Sequence, residues 1–353
     1  MQPDDTVKLN VPVRMLKSAL IAFQTDEDQQ LQKIASQDAK VSAIATLSDA
    51  ETLNRLRDLE QPIHRIADQA ATYAKSLEDA RYREILDWLS PICFIEHQKR
   101  HSERRLQGSG EWLLNRREYL DWQSSSASSI FLLHGMAGSG KTSLASAIVD
   151  SVLRQSSNQA SPALLAYFYC SKNASEIKLS DPKEIMRSIV RQLGVISGAQ
   201  KTVHSAIVND YERREAEAKI EGFDVTRLSL QDCIRLILNI TGPDPATIVL
   251  DAIDEVQPKS RYELIEALQQ IFRGSGSVVK IFATSRDDDQ VLSLLTNAST
   301  LRIDAENNHA DMESFVHDQV ALAINNRRLL GGDVSSKLQA DLSQALIDGA
   351  GEM

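Results

Sequence analysis

The chain has 353 residues, enough at roughly 150 per domain for two or three domains rather than one core. Its 42% hydrophobic and 25% charged residues exclude a collagenous, largely disordered or membrane-embedded protein, and a net charge of −10 argues against a general affinity for nucleic acid or anionic lipid. Cys93, Cys170 and Cys233 form no CxxC pair, apolar runs such as 163–170 are far short of the roughly 20 residues that span a bilayer, and the start of the chain carries no signal pattern, so a reducing, cytoplasmic location is expected, with no transmembrane segment.

Residues 1–95 read as an N-terminal helical region, polar and free of glycine. Leu56, Leu59, Ile63, Ile66, Ala70, Tyr73, Leu77 and Ala80 alternate spacings of three and four, the pattern of one narrow apolar seam. The seam fits an intramolecular helical bundle, with a partner coiled coil as the alternative. Pro62 lacks a backbone donor, so a helix is expected to start there and a separate one to precede it. A basic, glycine-containing stretch (97–122) and a serine run (124–129) follow, the latter read as a loop.

From residue 130 the pattern changes to short apolar runs at 130–133, 164–170, 247–250, 278–283 and 300–303, separated by amphipathic helices, which predicts an α/β fold with a parallel sheet covered on both faces. Asp181-Pro182 and Ser229 read as helix starts. The charge run 212–219 reads as a solvated helix with i,i+4 pairs. After 303 the chain returns to helix over 310–330 and 335–346, split by Gly331-Gly332.

Between the first strand and its helix lies Gly135-Met-Ala-Gly138-Ser139-Gly140-Lys141-Thr142, a complete GxxxxGK[ST] in the strand, loop, helix context that pattern requires. Such a loop turns backbone N–H groups and a helix N-terminus onto phosphates, so Gly135, Gly138, Ser139, Gly140, Lys141, Thr142 and Ser143 form the candidate nucleotide-binding set. Lys141 would face the β- and γ-phosphates and Thr142 would ligate Mg²⁺. Asp251, ending the apolar run 247–250, is the second candidate metal ligand, and Asp254 or Glu255 could orient or deprotonate an attacking water. Helix-capping acids are the plainer alternative. At the end of 278–283, Thr284 and Ser285 supply a hydroxyl pair and Arg286 a guanidinium suited to a γ-phosphate, or to pairing with Asp287 to Asp289.

The loop at 135–142, the LDAIDE box at 250–255 and KIFATSR at 280–286, with ILDWLSP at 85–91, GSGEWLL at 108–114 and LSLQDCIR at 228–235, resemble the NACHT domain of STAND-type signalling NTPases, in particular fungal NOD-like receptors. Ala252 between Asp251 and the Asp254-Glu255 pair is the discriminating detail. The resemblance implies a P-loop NTPase with a five-stranded parallel sheet in the order 2-3-4-1-5, flanked by helices. It implies domains at 1–95, 96–303 and 304–353, the last being the start of a helical domain cut short. It also implies ATP or ADP with Mg²⁺ as cofactors, GTP being an alternative, and places Gly110, Trp112 and Leu113 around the base and ribose, although Trp112 at helical spacing reads equally as core. The implied function is a nucleotide-operated switch with slow hydrolysis, in which exchange drives homo-oligomerisation in fungal innate immunity or heterokaryon incompatibility and the helical N-terminus contacts a signalling partner.

Two other readings stand beside it. A turnover ATPase of the AAA+ remodelling kind is disfavoured by the displaced Asp254-Glu255 pair. A nucleic-acid-dependent protein using Lys99, Arg100, Arg104, Arg105, Arg116 and Arg117 is disfavoured by the net charge and by Glu96, Glu103 and Glu111 among them, so no nucleic-acid partner is expected.

Overall fold

A computed structural model describes residues 48–106, 108–157, 163–196, 201–303 and 305–351, with the single positions 25, 29 and 30. The chain divides into two compact units, Met1–Glu84 and Ile85–Met353. Readings of residues 1–47 otherwise lie outside the described residues.

Helix α1 (Ser48–Leu89) is unbroken at Pro62, where a helix start was expected. Pro62 itself is exposed, although proline removes one backbone donor from the helix. Ile66, Tyr73 and Leu77 of the apolar seam are also exposed, and the bundle packing expected for it is not found among the described residues.

The second unit is built on a five-stranded parallel sheet: β1 (Ser129–His134), β2 (Leu164–Tyr169), β3 (Ala246–Asp251), β4 (Val279–Ser285) and β5 (Ser299–Arg302). Its order is β2-β3-β4-β1-β5, as the family resemblance implies. Every residue of β4 is buried, because this strand is central and both its faces are covered. The register sets Tyr169 beside Asp251, Leu250 beside Ala283 and His134 beside Ser285, so the carboxyl ends of four strands lie along one edge.

Alternation along the strands sorts the core. Phe131 and Leu133 face Leu144, Ile148 and Val149 of α5 (Lys141–Ser157), while the buried Ile130 and Leu132 belong to the opposite face. Phe131 stacks on Phe282 with ring centroids 5.7 Å apart. Around α5 lie α2 (Phe94–Arg104), α3 (Glu111–Leu114) and α4 (Arg117–Ser124). Gln98 and Arg105 fasten the end of α2 to Asp150 of α5 at 2.7 and 2.6 Å, so Arg105 of the basic stretch is a structural anchor.

The remaining helices before the last strand are α6 (Pro182–Leu193), α7 (Ser205–Glu221), α8 (Leu230–Ile240), α9 (Pro258–Gly274) and α10 (Asp289–Leu294). A short antiparallel pair, Val195–Ile196 with Thr202–Val203, links α6 to α7. Asp181 caps α6 through Lys183 N–H at 2.9 Å, and Ser229 and Asp232 close a reciprocal capping box on α8. Two helices follow the sheet, α11 (Ala305–Asn325) and α12 (Ser336–Gly351), which pack together.

The 85–91 motif is structural: Ile85, Leu86, Trp88 and Leu89 are buried, and the Trp88 indole donates to the Thr226 carbonyl at 3.0 Å. The charged run on α7 forms its i,i+4 pairs, Arg213 with Glu217 and Lys219 with Glu215. It also does something its spacing does not predict, since Arg213, Arg214 and Arg235 converge on the buried Asp210. Burial alone would raise the Asp210 carboxyl, but hydrogen bonds from Arg213 and Arg214 and the charges of Arg214 and Arg235 hold it below the ordinary carboxylate range. A group depressed in this way stabilises the fold fully above its unfolded pKa and loses that contribution as pH falls through the folded one. Asp210→Asn is therefore expected to cost about 3 kcal/mol in a urea titration at pH 7, and the deficit should shrink as pH drops below about 4.

Candidate functional site

The site lies at the carboxyl edge of the sheet, where β1 runs into the loop 135–142 and the loop into α5. Gly140 has φ +84°, a left-handed conformation that a side chain resists. Lys141 Nζ folds back along the loop, donating to the carbonyls of Gly135, at 2.8 Å, and Met136, and to Ser139 Oγ at 3.2 Å. Burial lowers the Lys141 ammonium from its ordinary value, while Asp254 and Asp251 oppose the shift. A cation held here at an exposed loop is suited to an incoming anion. Ser143, two residues beyond Lys141, is exposed on the first turn of α5.

Across from the loop, Asp251 ends β3 and is almost fully buried. Two hydroxyls serve it: Thr142 donates to Oδ2 at 2.7 Å and Thr284 to Oδ1 at 2.6 Å. Burial raises the Asp251 carboxyl, and the two hydrogen bonds and Lys141 offset this only in part. Thr284 Oγ1 also accepts the Ala252 N–H at 2.8 Å. Ala252 has φ 55°, rare for a residue with a side chain, and turns the chain into the short helix Ile253–Glu255. This left-handed step displaces the two following acids from Asp251, as the sequence spacing suggests.

Those acids meet Arg286. Asp254 is buried; its Oδ1 accepts the Arg286 backbone N–H at 3.1 Å, and its Oδ2 lies 3.3 Å from Arg286 Nε. Glu255 pairs with Arg286 Nη2 at 3.3 Å and accepts the Lys172 N–H at 3.0 Å through its other oxygen. Both candidate bases thus hold the guanidinium that the sequence assigns to a phosphate. Behind them, His134 Nδ1 lies 2.7 Å from Asp287, which also takes Arg302 at 3.1 Å. The His134 hydrogen bond is the main reason the Asp287 carboxyl sits below its ordinary value.

The structure gathers Gly135, Gly138, Ser139, Gly140, Lys141, Thr142, Asp251, Asp254, Glu255 and Arg286 along this edge. Trp112 is half-buried against the α5 core, and its indole N–H is buried with no partner. Two contributors escape the sequence reading. Thr284 is visible there only as a hydroxyl ending a buried strand, and nothing in the pattern marks Asn308, whose side-chain amide donates to the Ser139 carbonyl at 3.0 Å.

A divalent cation fits the donor set. Thr142 and Asp251 present a hydroxyl and a carboxylate side by side, both hard oxygen ligands, next to a loop built for phosphates. No group of three or more His, Cys, Asp or Glu that could hold a metal occurs among the described residues.

The sequence model of a family described as "Nephrocystin 3, N-terminal" matches residues 108–286, just over half of the chain, and the protein belongs to that family. The vegetative incompatibility protein HET-E-1 of Podospora anserina is 21% identical over 236 residues, 63% of this chain. The chain spans only 16% of that relative's length. These matches bear out the NACHT-like, P-loop NTPase character of the chain. Among solved structures, the Aeropyrum pernix ORC1 protein in complex with DNA is 17% identical with a TM-score of 0.36, over 62% of this chain and 56% of that one. Domain III of the Thermotoga maritima replication initiation protein DnaA is 11% identical with a TM-score of 0.35, over 69% of this chain and 95% of its own.

The double role of Thr284 makes a prediction. Thr284→Val keeps the shape but leaves Asp251 Oδ1 and the Ala252 N–H without their shared partner, at an expected cost of about 1–3 kcal/mol in unfolding free energy. Thr284→Ser should recover most of it. A valine variant as stable as wild type in chemical denaturation would show that the contact does not hold the β3 exit.

Proposed function

We propose that this member of the nephrocystin 3 N-terminal family is a nucleotide-operated signalling switch that binds ATP or ADP with Mg²⁺ and hydrolyses ATP slowly. The observation that carries the reading is the 2.7 Å contact of Thr142 with the buried Asp251 beside Lys141 and a phosphate-binding loop. Loop N–H groups and the start of α5 would take the phosphates, and Lys141 would exchange its loop carbonyls for phosphate oxygens. Thr142 and Asp251 would hold Mg²⁺, which when bound neutralises phosphate charge. Asp254 and Glu255 would position water, and Arg286 would leave them to meet the γ-phosphate. Trp112 would border the base and ribose.

Slow turnover is favoured over the remodelling-ATPase reading because both candidate bases pair with Arg286, which must move before either can accept a proton. A base engaged by a guanidinium is a poor proton acceptor. The name of the Podospora relative, a vegetative incompatibility protein, supports extending the reading to incompatibility; innate immunity, a cytoplasmic location and nucleotide-driven homo-oligomerisation enter the proposal through the family resemblance alone. In this reading 96–303 is the nucleotide-binding domain, 304–353 begins a helical domain, and 1–95 is a helical region that contacts a signalling partner.

Two measurements test it. In calorimetric titrations, Lys141→Ala should weaken Mg–ATP and Mg–ADP about ten- to a hundredfold through loss of a charged donor; unaltered affinity would contradict the P-loop assignment. Asp251→Asn should weaken only the Mg²⁺-dependent part of binding, while Asp254→Asn with Glu255→Gln should preserve binding and abolish residual hydrolysis. A double variant that binds ATP much more weakly yet still hydrolyses what it binds would reverse the assigned roles.

A further inference from the structure

Three stretches distant in sequence meet beside the phosphate-binding loop. Asn308 Nδ2 donates to the Ser139 carbonyl at 3.0 Å, Asp311 Oδ2 accepts the Gly110 N–H at 2.7 Å, and Arg116 Nη1 donates to Asn307 Oδ1 at 3.2 Å. Asn307, Asn308 and Asp311 all belong to the opening turns of α11, the helix that follows the last strand. Gly110 is left-handed, with φ +85°, and a Cβ there would stand 3.1 Å from Leu144 and 3.2 Å from Ala147 of α5. A Cβ on Gly140 would stand 3.2 Å from the Asn308 amide. The segment before β1, the loop with its helix, and α11 therefore touch with no room between them.

The Asn308 bond has a consequence for ligand binding. The Ser139 carbonyl and the Gly140 N–H share one trans peptide plane and point in opposite directions, so fixing the carbonyl fixes the N–H. A donor on that carbonyl also polarises the peptide and strengthens its N–H as a donor. The loop would bind phosphate with just such N–H groups. Asp311, by holding Gly110, fixes the segment that carries Trp112.

We propose that Asn308 and Asp311 are positioning residues of the nucleotide site, and that through them nucleotide occupancy sets the order of α11 and of α12 packed against it. The proposal rests on the nucleotide-binding reading above. Coupling runs both ways: if the clasp stabilises the loop geometry that binds phosphate, bound phosphate stabilises the clasp by the same factor. The C-terminal helices then report what the loop holds, although none of their contacts requires a bond to the nucleotide itself.

The test uses the full chain and Mg–ADP. Hydrogen exchange across 305–325 is measured with and without saturating Mg–ADP, and affinity is measured by calorimetry for wild type and variants. Wild type should exchange more slowly across 305–325 when ADP is bound. Asn308→Ala should weaken ADP about three- to tenfold, as for one neutral hydrogen bond. Asn308→Asp, of the same shape but offering an acceptor to a carbonyl, should weaken it further. Asp311→Asn keeps an acceptor for the Gly110 N–H and should stay near wild type, whereas Asp311→Ala should not. The double alanine variant should lose the ADP-dependent protection. Wild type that binds ADP with unchanged exchange across 305–325 overturns the proposal, as does unchanged affinity in Asn308→Ala; the exchange arm needs no substitution, so a folding defect cannot obscure it. Wild type that binds no nucleotide overturns the nucleotide reading itself, a separate outcome.

Discussion

A carboxylate buried at the end of a central strand is the constraint around which this site is arranged. Ionised Asp251 is costly in its setting, and two threonine hydroxyls from different parts of the chain meet that cost in part. Thr142 ties it to the first turn of α5, so the carboxylate and the phosphate-binding loop hold each other in place. Thr284 ties it to the neighbouring strand and at the same time fixes the left-handed Ala252. That hydroxyl helps hold the turn at Ala252 that leads to Asp254 and Glu255, which Arg286 then fixes.

The charges around this centre are matched internally. Lys141 is bonded along the loop, Arg286 is shared by Asp254 and Glu255, and Asp287 takes His134 and Arg302. A bound nucleotide would have to exchange several of these contacts for its own, which gives a physical basis for a binding switch in which ligand and protein compete for the same cations. In the proposed reading it would also slow hydrolysis, since proton acceptance by Asp254 or Glu255 would first require Arg286 to move. The clasp from α11 extends this network to the C-terminal helices.

Much of the architecture is legible in the sequence, because strands buried on both faces write themselves as β-branched and aromatic runs: all five strands fall where such runs occur. The phosphate-binding loop and Asp251 are legible because their chemistry demands particular residues at particular places. The sheet order came from family resemblance rather than from spacing. What the sequence hides are contacts between positions far apart that demand only one hydrogen-bonding atom. Thr142 and Asp251 are separated by 109 residues, Asn308 and Ser139 by 169, and no local pattern announces either pair. Asp210 is similar, since its partners on α7 look like ordinary surface arginines until Arg235 arrives from α8. Pro62 misleads for the opposite reason: a strong local rule yields, and the helix runs through an exposed proline.

In the proposed reading Asp251 is a carboxylate held in a costly environment for the sake of a cation and phosphates. Carboxyl ¹³C NMR titration, with the Asp251 resonance assigned by its loss in Asp251→Asn, measures this directly. The account predicts a pKa above the ordinary aspartate value of about 3.9 in the protein alone and a fall on saturation with Mg–ADP, as a divalent charge favours the ionised form. An ordinary pKa in the protein alone, or one that saturating Mg–ADP leaves unmoved, would contradict it.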